Sequence, residues 1–326
     1  MRILIVKLSS LGDLFHALPV TRALKSGLGA TVDWVTQPEY EKLVRCFDDV
    51  ENVITFPRRS LLKNGGAFLK ELRSRRYDYV FDLQGLIKSA AVTAAARGAK
   101  KIGPSASREG ARIFYNAVAG KKNKERHAVD ELFDAVRFLN LPAPPAIEFP
   151  VTFPSGEKLS VGLHIAICPA SRAAGKNWPP ARFAETAKVL HEEFGAIIHL
   201  VGGAGDRALC EEIAGGISGA QNHAGETSLI ELGTLLQKMN LLITVDSGPM
   251  HMAAAIGTPV LALFGPTSPL RTGPYGNQHC VIESPLMPAE KIISKKTRHN
   301  DMRFIEAIQT DVVIRAAKQM IQGSGS

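Results

Sequence analysis

The 326-residue sequence holds only four cysteines, Cys46, Cys168, Cys210 and Cys280, far apart and without a C-x-x-C pair. Such sparse thiols exclude a disulfide scaffold and indicate neither a zinc site nor a redox motif; isolated buried thiols in a reducing cytoplasm are expected. Aromatic residues make up 6% of the chain, with five Tyr and two Trp. That leaves little for base stacking and, with no recognition module in the sequence, argues against a nucleic-acid-binding protein. Long apolar runs are missing too. Ile3 to Val6 is too short for a signal peptide. The longest stretch without a formal charge, Ser247 to Leu270, is broken by Pro249, Pro259, Pro266, Pro269 and three glycines, so it spells turns, a helix and a strand of a soluble domain. No G-x-x-x-x-G-K-[ST] occurs, which excludes a P-loop NTPase, and the absence of D-x-D gives no sign of a metal-bridged diphosphate. Neither a metal nor a cofactor is expected.

What is present is an apolar fraction of 45%, ample for folded cores, over a length that suggests two domains. Charge divides them. Residues 1–155 carry 24 basic and 16 acidic side chains, whereas residues 156–326 carry 15 of each, so the net +8 lies entirely on the first half. Clusters at Arg58–Arg59, Arg73–Arg76, Lys100–Lys101 and Lys121–Arg126 imply that the first domain meets a polyanion: nucleic acid, an anionic membrane surface or an acidic small molecule. A solvated basic face without a partner is the alternative.

The first half alternates short apolar runs (3–7, 32–36, 53–56, 79–83, 101–103) with helical patterns (14–25, 39–47, 67–75, 87–96), followed by a helix at 127–139 and a proline-rich linker. The second half restarts the pattern, with strands at 163–168, 196–201, 241–245 and 260–264 and helices at 180–194, 206–213, 228–238 and 311–322. Repeated strand–helix–strand units imply parallel sheets with right-handed crossovers. The expected fold class is α/β: two doubly wound, Rossmann-like domains facing across a cleft, over residues 1–155 and 156–310. A closing helix at 311–322 and a flexible tail at 323–326 follow.

In such sheets ligands gather at the carboxyl ends of strands. The first strand runs into Lys7, Ser9, Ser10, Gly12 and Asp13, where Asp13 is either a helix-capping carboxylate or a general base. In the second half, Ser171 and Lys176 lie in a polar loop suited to a pyrophosphate. Asp246, Ser247, Gly248 and His251 lead a buried strand into a helix N-terminus, an anion-binding arrangement unless Asp246 or Ser247 merely caps.

Taken together, these segments resemble one family. MRILIVKLSSLGD (1–13), DLQGLIKS (82–89), FYN (114–116), HAVD (127–130), KNWP (176–179), DSGPMH (246–251) and FGPT (264–267) are similar, in that order, to segments of lipopolysaccharide heptosyltransferases. The resemblance implies a GT-B fold, with the acceptor on the first domain and the nucleotide sugar on the second. The closing helix often crosses back to the first domain in that fold. The implied activity is inverting, metal-independent transfer of L-glycero-D-manno-heptose from ADP-heptose to Kdo of Kdo-lipid A, on the cytoplasmic face of the inner membrane.

By the same resemblance Asp13 is the general base, and Ser171, Lys176, Asp206, Asp246, Ser247, Gly248 and His251 form the nucleotide-sugar site. Lys7, Ser10, Arg58, Arg59, Lys63 and Lys121 are the expected acceptor contacts, in line with the anionic Kdo carboxylates and lipid A phosphates. FYN and HAVD resemble type I members, which add the first heptose, and a cysteine-containing segment common near the end of type II members is absent. The stretch Ala170–Arg172 is closer to type II, which adds the second heptose. That role, or a sugar-nucleotide epimerase of the same fold, is the alternative.

Overall fold

A computed structural model describes residues 1–123, 125–287 and 301–323. The chain forms two compact units, Met1–Thr152 and Phe153–Ser326. The boundary follows from pairing. Phe47 bridges Val151 antiparallel, and Thr152 N–H donates to Cys46 O, so the proline-rich segment closes back on the first unit. Phe153 instead fills the space above Gly233 in the second unit, where a Cβ would meet its ring at 2.5 Å.

The first unit is a six-stranded parallel sheet of β1 (Arg2–Val6), β2 (Thr31–Thr36), β3 (Val50–Thr55), β4 (Tyr77–Asp82), β5 (Gly98–Pro104) and β6 (Ala117–Ala119), in the order β3-β2-β1-β4-β5-β6. Because helices cover both faces, β1 is apolar after Arg2, and Ile3, Leu4, Ile5 and Val6 are all fully buried. One face packs Leu4, Val6, Val35, Ile54 and Val80 under Phe68 and Leu72 of the Leu61–Leu72 helix. Trp34, Phe47 and Phe15 meet edge to face elsewhere in the unit. The helix expected over 14–25 is two helices, Leu11–His16 and Leu18–Leu28. The break falls at Ala17, just before Pro19, which has no N–H to continue the first helix.

The second unit repeats the plan with β7 (His164–Cys168), β8 (Ile197–Leu200), β9 (Gln221–Asn222), β10 (Leu241–Val245), β11 (Val260–Phe264) and β12 (Cys280–Glu283), in the order β12-β11-β10-β7-β8-β9. Its core sets Ile165, Ile167, Ile198, Leu200, Ile243 and Leu263 against Phe183 and Leu190 of the Pro180–Phe194 helix. The last helix, Thr310–Gly323, places Val313 and Ala317 in this same core. Residues 324–326 of the expected tail and Lys124 of the basic cluster lie outside the described residues. Among the described residues no helix is long and apolar enough to cross a membrane.

In each sheet the chain order reverses once, between β1 and β4 and between β7 and β10. Loops leaving those strand pairs run in opposite directions and open a crevice at their carboxyl ends. Asp13 follows β1, Gln84 follows β4, Lys176 follows β7 and Asp246 follows β10.

Candidate active site

In the first unit the loop after β1 is fastened to the loop after β4. Leu8 N–H donates to Gln84 Oε1 at 2.8 Å, and Lys7 Nζ donates to Leu83 O at 2.8 Å. Lys7, expected on the acceptor side, is therefore turned inward; it is 5% exposed, and its ammonium also pairs with Asp13 at 3.5 Å. Asp13 sits in the first turn of the Leu11–His16 helix, where its Oδ2 accepts from Ser10 N–H at 3.1 Å and from Ser10 Oγ at 2.7 Å. Ser10 is thereby engaged by the carboxylate.

Burial pushes the Asp13 carboxyl up. The Lys7 ammonium, His16 and the two Ser10 hydrogen bonds outweigh that push and hold it well below the usual carboxylate range. It is ionised at neutral pH. With its side chain 47% exposed, the carboxylate is also within reach of a ligand. Capping and availability for chemistry coexist in one residue.

Beside this loop Arg58, Arg59, Gln37, Glu39 and Ser60 line a recess of about 450 Å³. Gln37 joins it to the β1 loop, its N–H donating to Leu8 O at 3.2 Å. Lys63 is exposed on the helix that follows, as are Leu61 and Leu62. Lys121 is exposed on a separate loop, where its carbonyl accepts from Arg126. Buried Asp82 shapes the β4 loop. Its Oδ1 accepts from Gln84 and Gly85 N–H, and its Oδ2 from Tyr115 Oη at 2.7 Å. Desolvation nonetheless raises its carboxyl.

In the second unit Lys176 Nζ lies 2.6 Å from Asp246 Oδ2, which also accepts from Thr267 Oγ1 at 2.8 Å. One carboxylate thus ties the loops after β7, β10 and β11. Ser247 stands at the N-cap of the Gly248–Ala255 helix, yet its hydroxyl does not cap; it bonds Thr244 Oγ1 at 3.0 Å. The first turn therefore keeps its backbone donors for another acceptor. His251 is buried on this helix. Ser171 N–H donates to Asn177 Oδ1 at 2.8 Å, so Asn177 shapes the loop that carries Lys176. Asp206 follows β8, with its Oδ2 accepting from Gly203 N–H at 2.8 Å.

Sequence reasoning singled out most of these positions but not Gln84, Asn177 and Thr267 as site residues. Asn177 flanks Lys176, and Gln84 and Thr267 lie within three residues of the ends of β4 and β11; that placement was the available signal. Among the described residues no group of three or more His, Cys, Asp or Glu side chains is placed to hold a metal ion.

Two doubly wound units with polar loops at the switch points fit the GT-B architecture. Residues 66–301 match the model of glycosyltransferase family 9 (heptosyltransferase), and the chain belongs to that family. It is 31% identical to lipopolysaccharide heptosyltransferase 1 of Escherichia coli O18:K1:H7, over 94% of this chain and 97% of that one. Among solved structures it resembles the E. coli heptosyltransferase WaaC with ADP (27% identity, TM-score 0.82, 99% of both chains). It also resembles E. coli ADP-heptose LPS heptosyltransferase II (25%, TM-score 0.83, 100% of both).

Proposed function

We propose that the chain transfers heptose from ADP-heptose to a Kdo hydroxyl of Kdo-lipid A, with inversion, as a type I heptosyltransferase. The observation that carries this reading is Asp13: ionised, partly exposed, and held by Ser10 and Lys7 at the carboxyl end of β1. The acceptor hydroxyl attacks the anomeric carbon, the bond from that carbon to the diphosphate breaks, and Asp13 takes the hydroxyl proton. ADP leaves from the opposite face. A depressed carboxyl is a weak base, so the transfer suits a step in which the hydroxyl becomes acidic only as its new bond forms. Lys176 and the uncapped turn at Ser247 and Gly248 take up charge growing on the diphosphate; Ser171, Asp206, Asp246 and His251 complete the donor side.

Arg58, Arg59, Lys63 and Lys121 receive the acceptor's carboxylates and phosphates, with Ser10 beside the base. Exposed Leu61 and Leu62 between arginines and a lysine suit peripheral contact with the anionic cytoplasmic face of the inner membrane. A second reading is addition of the second heptose. It is favoured by the type II-like Ala170–Arg172 stretch and by an equally good fit to a type II structure.

Mass spectrometry of Kdo-lipid A incubated with enzyme and ADP-heptose, without added metal, tests both. A gain of one heptose supports the type I role. Transfer only onto an acceptor already bearing one heptose moves the chain to type II, and no transfer to either overturns the donor or the acceptor.

A further inference from the structure

Three histidines form a hydrogen-bonded chain across one face of the second sheet. His164 Nε2 lies 2.8 Å from Ser160 O, His164 Nδ1 lies 2.9 Å from His199 Nε2, and His199 Nδ1 lies 3.0 Å from His223 Nε2. In register, Ala166 and Gln221 both stand opposite His199. Side chains alternate along a strand, so residues 164, 166, 199, 221 and 223 share a face, opposite the one that carries Ile165, Ile167, Ile198 and Leu200. A carbonyl can only accept. His164 therefore donates from Nε2 and accepts at Nδ1, His199 donates to it, and His223 donates to His199. All three tautomers follow from that one carbonyl. Desolvation, with the two flanking imidazoles, lowers His199 to about 4, so the central imidazole is neutral at neutral pH.

The outer end of the chain reaches a loop at the ligand edge. His223 N–H donates to Leu200 O, and Gly225 N–H donates to Gly202 O at 3.1 Å. Gly225 has a φ of +78°, and a Cβ there would lie 2.7 Å from Ala204 Cα, so the two loops touch backbone to backbone. Arg207 reinforces the seam, pairing with Glu226 at 2.6 Å and donating to Ala224 O, while Asn222 donates to Arg207 O. Glu226 is the charged group acting on His223 from this loop. The partner loop, Gly202–Asp206, is exposed at Gly203–Gly205 and ends in the carboxylate assigned above to the donor nucleotide.

We propose that His164, His199 and His223 are positioning residues that fix the His223–Glu226 loop to the sheet and thereby set Asp206 for nucleotide recognition. This rests on the donor-site reading of Asp206. A sheet face filled with valines would bury as well at less desolvation cost, but it would not hold the loop at one height. The directional chain does.

The test is ADP titration by calorimetry on the full chain, with steady-state transfer alongside. His223 is half-buried, so both variants below are expected to fold. His223→Gln keeps an N–H donor within reach of His199 Nδ1, whereas His223→Leu removes it. The expected result is ADP affinity within about twofold of wild type for the Gln variant and about tenfold weaker for the Leu variant. Donor KM should rise with it, while kcat and acceptor KM stay put. Hydrogen exchange at Gly203–Asp206 should quicken in the Leu variant only. Equal behaviour of the two variants, or unchanged ADP affinity in the Leu variant, overturns the proposal and leaves the functional reading intact. Failure of the wild type to bind ADP overturns both.

Discussion

The Lys176 ammonium and the Asp246 carboxylate, 70 residues apart in sequence, meet at 2.6 Å where the loops after β7 and β10 converge. The pair is 19% and 9% exposed, and the same carboxylate oxygen accepts from Thr267. Lys176 therefore holds the loop and neutralises Asp246 while standing beside the uncapped Gly248–Ala255 helix. Lys176→Met should weaken ADP binding at least tenfold, about 1.4 kcal/mol. It should also cost about 1–3 kcal/mol of stability by leaving Asp246 with one neutral donor, less than for a fully buried pair. Thr267→Val should change ADP affinity less than threefold. Calorimetric titration and urea melts of both variants check this; a Lys176→Met variant that binds ADP like wild type would remove the lysine from the donor site.

Asp13 both caps a helix and offers a carboxylate, and two substitutions separate these roles. Asp13→Asn keeps an oxygen for Ser10 but removes the charge opposite buried Lys7, so it should cost about 1–3 kcal/mol of stability, while transfer falls about 10²–10⁴-fold. Asp13→Ala should lose the same activity and a further ~1 kcal/mol of stability. Initial rates and thermal melts on the two variants supply the comparison. If the Asn variant transfers at near wild-type rate, Asp13 is a cap and nothing more.

The recess carrying Arg58 and Arg59 makes an electrostatic prediction. Both arginines line the opening, so Arg58→Ala and Arg59→Ala should leave stability within about 0.5 kcal/mol. Acceptor KM should rise severalfold while donor KM holds. Raising salt from 50 to 300 mM should weaken acceptor binding to wild type more than to the double variant, because exposed charge pairs are screened over about 8 Å at physiological ionic strength. Acceptor binding that ignores salt in both proteins would place the anionic groups elsewhere.

The long apolar strands were legible because burial on both faces leaves continuous runs, as in Ile3–Val6 and Leu241–Val245. The short edge strands β6 and β9 were not. Ala117–Ala119 and Gln221–Asn222 are too short to carry a pattern, and they are strands only because β5 and β8 offer ladders beside them. The Leu61–Leu72 helix begins six residues before the expected start at 67, since Gly65 and Gly66 mask a turn whose side chains are exposed.

For the candidate site, glycine and hydroxyl residues after strands marked the loops that carry Asp13, Lys176 and Asp246 at the strands' carboxyl ends. Their inner wiring was hidden. Nothing local says that Lys7 turns to Leu83 O, or that His164, His199 and His223 line up, because those contacts depend on the register between strands far apart in the chain.

That histidine chain gives stability a specific pH dependence. His199 is fully buried, and desolvation with its two imidazole neighbours lowers it from 6.5 to about 4. The unfolded chain therefore takes up a proton at this site between pH 6.5 and 4 while the folded chain does not. Stability from this group is complete above pH 6.5 and declines as pH falls toward 4, by about 3 kcal/mol in all. His223, lowered chiefly by burial, and His279, lowered to about 4 by burial, act in the same direction, so the wild-type slope is a sum. Glu41 and Glu231 are held below their ordinary 4.5, so their losses begin only under that value, whereas Asp82, raised by desolvation, acts in the opposite direction; both cancel when His199→Phe is compared with wild type. His199→Phe should be less stable than wild type at pH 7, since His164 Nδ1 and His223 Nε2 each lose a partner. Its stability should nevertheless fall less steeply between pH 6.5 and 5. Urea melts at half-unit pH steps measure both slopes; parallel curves would mean that His199 is charged in the folded protein over that range.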